Sequence, residues 1–338
     1  MKKLIKIGLP ENLAKDDYCQ FHDHKYELPE LDTFYVEDIT ITNEGICLKE
    51  GYLVEQSIHW YRDKMDIYKL TGILNLIDNQ TIPADDSKQY MIIQGPVFSY
   101  YHWFTESLPR LMLAEEFSKE VILILPHQLK NINYVTESLT PFIFDDIIYI
   151  PENSNLFVKL LILPQIKPYF TSYNPQVTCQ IRNFHRNYAD EFYCSEMQKN
   201  FTRIYLLNSQ CEAKKIVNEK EIICILEENN FKIIDLSDYP LIEQVHLMNH
   251  AEVVVSSNQD LFACICFLRP GSKILELNNE KRNENDPYFE RYWYLSSCLG
   301  LKYYYQFCDP DSPIEYEEVS ELKVNINLFK KNIDILLH

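Results

Sequence analysis

The stretch that decides the fold is residues 232–277, which read KIIDLSDYPLIEQVHLMNHAEVVVSSNQDLFACICFLRPGSKILEL. Short apolar runs, long enough for buried strands, alternate here with segments of helical periodicity. This alternation is typical of a parallel sheet covered by helices on both faces. It begins at residue 203 and continues towards the end of the chain, and it predicts a doubly wound α/β domain. The expected strands are 203–207, 232–236, 253–256, 273–277 and 302–305, and the expected helices are 219–228, 242–250, 261–268, 286–299 and 325–337.

Upstream, residues 90–163 show the same alternation less regularly. Residues 1–90 instead mix short alternating segments with turn signals such as Asn43-Glu44-Gly45, which favours a small, mainly β leader. A chain of 338 residues exceeds what one core usually serves. We therefore expect two Rossmann-like domains facing a cleft, with the leader 1–90 packed on a first domain at 91–185 and a second domain at 186–338. Within the first domain we expect strands at 91–93, 121–125, 147–150 and 158–163 and a helix at 100–117.

Composition narrows the class of protein. Hydrophobic residues make up 46% of the chain and charged residues 24%, as in globular proteins with large cores. The formal charge of −18 repels phosphate backbones, so we expect no nucleic-acid partner. A local group of cations or a helix N-terminus can still bind an anionic small molecule in such a protein.

Location is predicted from the apolar segments and the cysteines. The basic start Met1-Lys2-Lys3 is not followed by a long apolar stretch, and no run of about 18 uncharged apolar residues occurs. We expect no signal peptide and no transmembrane helix, hence a cytoplasmic protein, held at most peripherally at the inner face of a membrane. The ten cysteines lack CxxC or Cys/His spacing, and we interpret them as reduced and mostly buried.

The first candidate for chemistry is the segment from Tyr101 to Arg110, which reads YHWFTESLPR. His102, Glu106 and Arg110 are four residues apart and would share one face of a helix, with Pro109 kinking the last turn. A histidine oriented by a glutamate can serve as a general base towards an alcohol. The alternative is a structural His–Glu hydrogen bond and an arginine salt bridge.

Two further groups of polar residues flank the strands expected after residue 200. Arg203, Lys214 and Lys215 could bind a diphosphate near strand ends and a helix N-terminus, or the lysines could be solvated surface residues. The polar run Ser257-Asn258-Gln259-Asp260 follows a buried strand, where such folds hold ligands. These side chains could contact a base, ribose or sugar, or could only cap the next helix.

Several common sites are missing from the sequence. No GxSxG, Walker A, GxGxxG or HExxH motif occurs, and the chain has only 7 glycines. Asp85-Asp86 and Asp145-Asp146 lack the flanks of a D-x-D metal motif, and Asp309-Pro310-Asp311 lies in an expected turn. We predict no essential metal and no cofactor.

Taken together, these segments resemble glycosyltransferase family 61, over about residues 95–308. The segment from Tyr101 to Arg110 is close to the family pattern Y-H-W-x-T-E-x-L-P-R. Three more segments resemble family patterns: Arg203-Ile204-Tyr205 with the stretch from Lys215 to Glu219, then Glu243-Gln244, and then the stretch from Phe267 to Glu276.

The resemblance implies a GT-B fold, inversion at the anomeric carbon and no metal requirement. It implies a nucleotide sugar as donor and a glycan or lipid-linked glycan as acceptor. His102 or Glu106 would remove the acceptor proton, although an aspartate such as Asp260 is an alternative base. The residues expected to bind the substrates are Arg110, Arg203, Asn208, Lys214, Lys215, Glu243, Ser257, Asn258, Gln259, Asp260 and Glu276, with Arg203 and Lys215 offsetting charge on the leaving diphosphate.

Two departures from the family fall on the donor side. The family carries H-G-A-G where this chain has Asn258-Gln259-Asp260-Leu261, and S-R where it has Leu207-Asn208. Glycines that allow close backbone approach and one cation are thereby absent. The main alternative to an active transferase is a non-catalytic relative that binds or scaffolds glycans. A hydrolase or epimerase acting on nucleotide sugars is a further alternative.

Overall fold

The computed structural model describes residues 3–21, 24–58, 62–95, 97–114, 120–165, 172–192, 201–207, 216–257, 260–279, 290–310 and 321–338. Internal packing divides the chain into two units. The first comprises Met1–Leu28 with Arg182–His338 and is called the C-terminal unit, and the second comprises Pro29–Ile181 and is called the N-terminal unit. The predicted division at 90/91 and 185/186 differs from this one at the leader. Its first 28 residues group with the C-terminal unit, and the rest belongs to the N-terminal unit.

Strands and helices alternate along most of the chain. In chain order, the strands are β1 (Leu4–Lys6), β2 (Lys25–Glu27), β3 (Thr33–Ile41), β4 (Cys47–Lys49), β5 (Tyr52–Leu53), β6 (Gln80–Pro83), β7 (Gln89–Ile92), β8 (Val121–Pro126), β9 (Asp146–Ile150), β10 (Ser154–Pro164), β11 (Arg203–Leu207), β12 (Lys232–Asp235), β13 (Val253–Ser257), β14 (Lys273–Asn279), β15 (Lys302–Pro310) and β16 (Leu322–Lys323). The helices are α1 (Arg62–Asp78), α2 (Tyr100–His102), α3 (Leu108–Leu113), α4 (Asn133–Leu139), α5 (Pro175–Phe192), α6 (Glu219–Glu228), α7 (Leu241–His250), α8 (Arg291–Leu299) and α9 (Ile326–Leu337).

The N-terminal unit is built on one mixed sheet of order β5-β4-β3-β10-β7-β8-β9, with β6 also paired to β10. Strands β10, β7, β8 and β9 run parallel, and β3 pairs with β10 in antiparallel register. All six residues of β8 are buried, as expected for a parallel strand covered on both faces. The strands predicted at 121–125, 147–150 and 158–163 are confirmed.

The leader predicted over residues 1–90 is not a separate β layer. Strands β3, β4 and β5 extend the same sheet as β7 and β10. Helix α1 lies within the predicted β segment 1–90. The alternating pattern upstream of it does not predict a helix. Gly72 lies where α1 meets β4, because a Cβ at this position would stand only 3.3 Å from Leu48 Cδ2. The absent side chain therefore lets the helix approach the sheet.

The C-terminal unit has a sheet of order β12-β11-β13-β14-β15-β16. Its first five strands run parallel, and β16 is antiparallel to β15. The order reverses between β11 and β13, and such a switch point opens a crevice at the carboxyl ends of the strands. The predicted doubly wound α/β topology is confirmed for this part of the chain.

One face of this sheet is covered by α6 and α9. Ile222 and Leu226 of α6 pack with Phe329 and Leu336 of α9 in a core that reaches Val255 of β13. Each of these side chains is at most 1% exposed. The apolar stripe of the terminal helix, predicted over 325–337, is therefore the reason that α9 folds against the sheet.

Some local predictions need correction. The stretch Asn218-Glu219-Lys220-Glu221 is typical of a capping box, but the Asn218 side chain instead bonds both the N–H and the C=O of Val324. The segment predicted as a helix at 261–268 is a 3₁₀ helix over Asp260–Phe267. The polar stretch 181–199 has helical character and belongs in part to α5, which begins six residues earlier at Pro175; residues 193–199 lie outside the described residues. Asp309, predicted in a turn, pairs with Lys323 at the end of β15.

The helices and cysteines of the described residues bear on the predictions about location. No helix there is long and apolar enough to cross a membrane. None of the cysteines that the structure describes forms a disulfide, and five of them are buried. Cys19 and Cys224 are exposed, and the prediction that the cysteines are mostly buried agrees with most of the rest.

Candidate functional site

The segment Tyr100–Leu113 is helical throughout, but its winding changes in the middle. The side chain of Ser99 accepts a hydrogen bond from the backbone N–H of His102 and so caps the start of α2. Residues Trp103–Ser107 form a π turn, in which the N–H of Leu108 reaches the carbonyl of Trp103, five residues back. Such single π turns occur frequently at functional sites. Pro109 follows the π turn as the second residue of α3, and it has no N–H to donate to the preceding turn.

His102 and Glu106 meet on this segment. The distance between His102 Nδ1 and Glu106 Oε2 is 2.7 Å, and the two side chains are only 6% and 1% exposed. If Nδ1 donates to the carboxylate, Nε2 is the basic nitrogen of the neutral ring. This buried dyad is the pair that the sequence analysis named as the base.

Neighbouring side chains fix the segment in place. Trp103 Nε1 donates to Ser138 Oγ at 2.8 Å, and Ser107 Oγ donates to Gln94 Oε1 at 3.1 Å. The hydroxyl of Tyr101 bonds that of Tyr173. All of these side chains are buried, so the dyad sits on a helix whose rotation is held from several sides.

Arg110 is 2% exposed and forms hydrogen bonds to the backbone at the ends of two strands. Its Nε donates to the carbonyl of Pro164 at 2.6 Å and its Nη1 to that of Ile93. Burial lowers the pKa of Arg110 to about 10, opposed by the charges of Cys47 and Glu106, so the group stays cationic at neutral pH. These contacts hold Arg110 against the ends of β7 and β10, and its predicted role in binding substrate stays a prediction.

A small cavity lies beside this group within the N-terminal unit. It is lined among others by Thr105, Glu106, Arg110, Gln165 and Asn174, and its volume is about 20 Å³, room for about one water molecule. Arg110 Nη2 is buried and has no hydrogen-bond partner among the described residues. The cavity therefore offers a polar ligand or water a donor that no described residue uses.

The carboxyl edge of the second sheet carries a different set of groups. Ser257 ends β13 and is 5% exposed, and Asp260 begins the 3₁₀ turn that follows. Arg291, in the first turn of α8, places its Nη1 3.0 Å from Asp260 Oδ1 and stacks on the ring of Tyr292. The arginine side chain is 4% exposed and the aspartate 45%.

Arg291 is the functional candidate that the sequence analysis missed. The sequence predicts a helix over 286–299, but Arg291 was not among the predicted site residues. The available signal was positional: a helix that follows a parallel strand begins at the carboxyl edge of the sheet. An arginine in its first turn is therefore close to the ligand crevice, although about 30 residues separate it from Asp260.

Other predicted residues fall in different places. Glu243 lies half-buried in the first turn of α7, at the same edge as Ser257. Glu276 is fully buried in β14 and accepts hydrogen bonds from Tyr303 and Asn278. Arg203 starts β11 and donates to the carbonyl of Asn229, so it lies at the amino edge. The predicted residues Asn208, Lys214, Lys215, Asn258 and Gln259 lie outside the described residues.

The structure therefore does not bring Arg203 to Ser257 and Asp260. A strand of five residues separates its position from the carboxyl edge, and each residue adds about 3.3 Å. The sequence predicts that Arg203, with Lys214 and Lys215, binds an anion near strand ends and a helix N-terminus. In a parallel sheet, however, the ligand edge is where strands end.

In the parts of the chain that the structure describes, no three His, Cys, Asp or Glu side chains are grouped as a metal site.

The comparisons with known proteins agree with the motif in α2 and α3. The family model described as Glycosyltransferase 61 matches residues 100–275, which is more than half of the chain. The chain belongs to glycosyltransferase family 61. No curated protein matches it. The matched region includes the dyad helix and β11 to β13, and it ends before Arg291.

Proposed function

We propose that this protein transfers a sugar from a nucleotide-sugar donor to a hydroxyl group of a glycan acceptor, with inversion and without a metal ion. The observation that carries this proposal is the buried His102–Glu106 dyad, held at 2.7 Å within the segment matched by the family model. Family membership supports a transferase, and the dyad supplies a base suited to an alcohol.

The acceptor side of the reaction follows from the dyad. His102 Nε2 takes the proton of the acceptor hydroxyl as its oxygen attacks the anomeric carbon. The bond from that carbon to the diphosphate breaks, and the nucleoside diphosphate leaves with the bonding electrons. Glu106 orients the ring and stabilises the imidazolium, as carboxylates do beside catalytic histidines. The positive charge of Arg110 lies close enough to Glu106 to interact with its carboxylate.

The donor side is assigned to the carboxyl edge of the sheet in the C-terminal unit. Arg291 would offset the charge that builds on the leaving diphosphate, with Asp260 orienting the guanidinium. Ser257 and Glu243 lie at the same edge and would contact the nucleotide or sugar. This assignment provides a cation at that edge, although the family's S-R is Leu207-Asn208 here.

Other features of the proposal rest on the resemblance. A GT-B arrangement is supported by one α/β sheet in each unit. A glycan or lipid-linked glycan acceptor and a cytoplasmic location, at most peripheral at the inner face of a membrane, follow from the family and the composition.

The first experiment is a thermal-shift screen with UDP, GDP, CMP and dTDP and their common sugar conjugates. A ligand that binds only the folded state raises the melting temperature, and a rise with one nucleotide identifies the donor class. Release of that nucleoside diphosphate, measured with and without acceptor glycans, then tests transfer. No shift with any nucleotide would contradict the proposal and favour the non-catalytic relative. Release that needs no acceptor would favour a hydrolase.

A further inference from the structure

The C-terminal unit carries a second group of cations at the amino edge of its sheet. Arg182 of α5 donates from Nη1 to the carbonyl of Leu299, which ends α8 just before β15 begins. Arg269 stands four residues before β14 and donates from Nε to Asn249 in the last turn of α7, at 3.1 Å. Both contacts place these arginines where parallel strands begin, at the edge opposite Ser257 and Asp260.

Arg186 lies between these two cations, one helical turn after Arg182. Burial lowers the pKa of Arg186, and the positive charges of Arg269 and Arg182 lower it further, while Asp190 opposes them. Arg186 is thus close enough to both other guanidinium groups for their positive charges to act on it. Such a group stands out in a chain whose formal charge is −18.

The charge of Arg186 is not matched by a contact. Arg186 is half-buried, forms no ion pair with any described residue, and its Nε is buried without a hydrogen-bond partner. A charged group with a buried N–H that lacks an acceptor is destabilised, and the negative charge of an oxyanion bound near the half-buried guanidinium would offset part of that cost. The arrangement is therefore incomplete without an anion.

The neighbouring side chains preset the geometry. Asn249 is buried, and its amide accepts from Arg269 through Oδ1 while its Nδ2 faces Asp190 Oδ1 at 3.4 Å. These hydrogen bonds hold the Nε of the exposed Arg269 side chain, and its terminal nitrogens can therefore bind solvent or a ligand. Planar guanidinium groups match the oxygens of phosphate in paired hydrogen bonds, and three of them favour a dianion over a single carboxylate.

We propose that Arg182, Arg186 and Arg269 form a phosphate-binding site at the amino edge of the sheet, separate from the donor edge. The phosphate is either that of a small molecule in solution or that of a lipid headgroup. This site does not depend on the transferase reaction, because it shares no residue with the dyad or with Arg291.

The test measures binding of inorganic phosphate by calorimetry at low ionic strength. The protein carries Arg291→Met, so that a donor-side phosphate site does not contribute. Adding Arg186→Gln should weaken phosphate binding by about tenfold or more, the loss expected for a charged hydrogen-bond donor. The matched control is Lys330→Gln, which removes one exposed positive charge from α9 of the same unit and should leave the affinity unchanged.

Folding is controlled by the melting temperature of each variant without phosphate. If Arg186→Gln does not fold, Arg269→Gln replaces it, since this side chain is exposed. A phosphate affinity that neither Arg186→Gln nor Arg269→Gln changes, or the absence of phosphate binding, overturns the site.

The source of the phosphate is distinguished by sedimentation with vesicles. The probes are neutral phosphatidylcholine vesicles and vesicles that also contain phosphatidic acid. Arg186-dependent sedimentation with the anionic vesicles alone supports a lipid headgroup. Arg186-dependent binding of inorganic phosphate without sedimentation supports a soluble phosphate compound.

Discussion

The helix segment 100–113 of the N-terminal unit and the carboxyl edge of the sheet in the C-terminal unit differ in how their groups are assembled. In the first, two residues four apart along the chain form a buried dyad, and the family pattern is intact. In the second, the described ion pair joins Asp260 to Arg291, 31 residues apart, where the family pattern has changed. A site formed within one helix can be predicted from sequence spacing. A site formed across the edge of a sheet cannot, because strand order decides which residues meet there.

The largest effect is expected from His102→Ala, which removes the proposed base. Loss of general-base catalysis typically lowers kcat by about 10²- to 10⁴-fold. The donor-induced thermal shift should stay as in the wild type, because the dyad belongs to the other unit. Unchanged turnover would show that the dyad is structural. Segment 100–113 would then not contain the catalytic base.

Arg291→Met is expected to act on the donor side. Loss of a charged hydrogen bond to the diphosphate should weaken donor binding by about tenfold or more. Asp260→Asn is the milder partner variant, because it leaves the cation in place and removes only the charge that orients it. The readout is the nucleotide-induced shift in melting temperature, followed by KM for the donor. A full shift in Arg291→Met would place the donor elsewhere.

Glu106→Gln separates orientation from charge in the dyad. The amide keeps the length of the side chain and a hydrogen bond to the ring, but it no longer stabilises an imidazolium. We expect kcat to fall by about tenfold, less than for His102→Ala, with KM for the donor unchanged. A fall as large as that of His102→Ala would make Glu106 the better candidate for the base.

The smallest effect is expected from Ser138→Ala, which leaves Trp103 Nε1 without its described acceptor. A buried polar group that loses its partner costs about 1–3 kcal/mol of stability. Chemical denaturation measures this free energy of unfolding. The control Thr136→Ala changes an exposed hydroxyl on the same helix and should cost less. Equal losses would mean that the bond to Trp103 does not hold the π turn.

Part of the structure was predictable because its signals are local. Strands β11 to β14 and helices α6 and α7 were predicted within one or two residues, since buried apolar runs and helical periodicity lie within short windows. Helix α1 was missed, because its residues follow alternating segments that favour strands. Asn218 precedes α6 in a sequence typical of a helix cap, but its side chain bonds Val324, more than 100 residues away.

By itself, the sequence determined the family motif, the alternation of strands and helices after residue 203, and the pairing of His102 with Glu106, because each depends on residues close along the chain. Only the tertiary structure decided that Arg203 lies at the amino edge of its sheet. It also decided that Arg110 donates hydrogen bonds to two carbonyls at strand ends, and that Arg291 forms an ion pair with Asp260. These positions depend on strand order and on which end of a parallel sheet each loop leaves, and neighbouring residues do not encode either property.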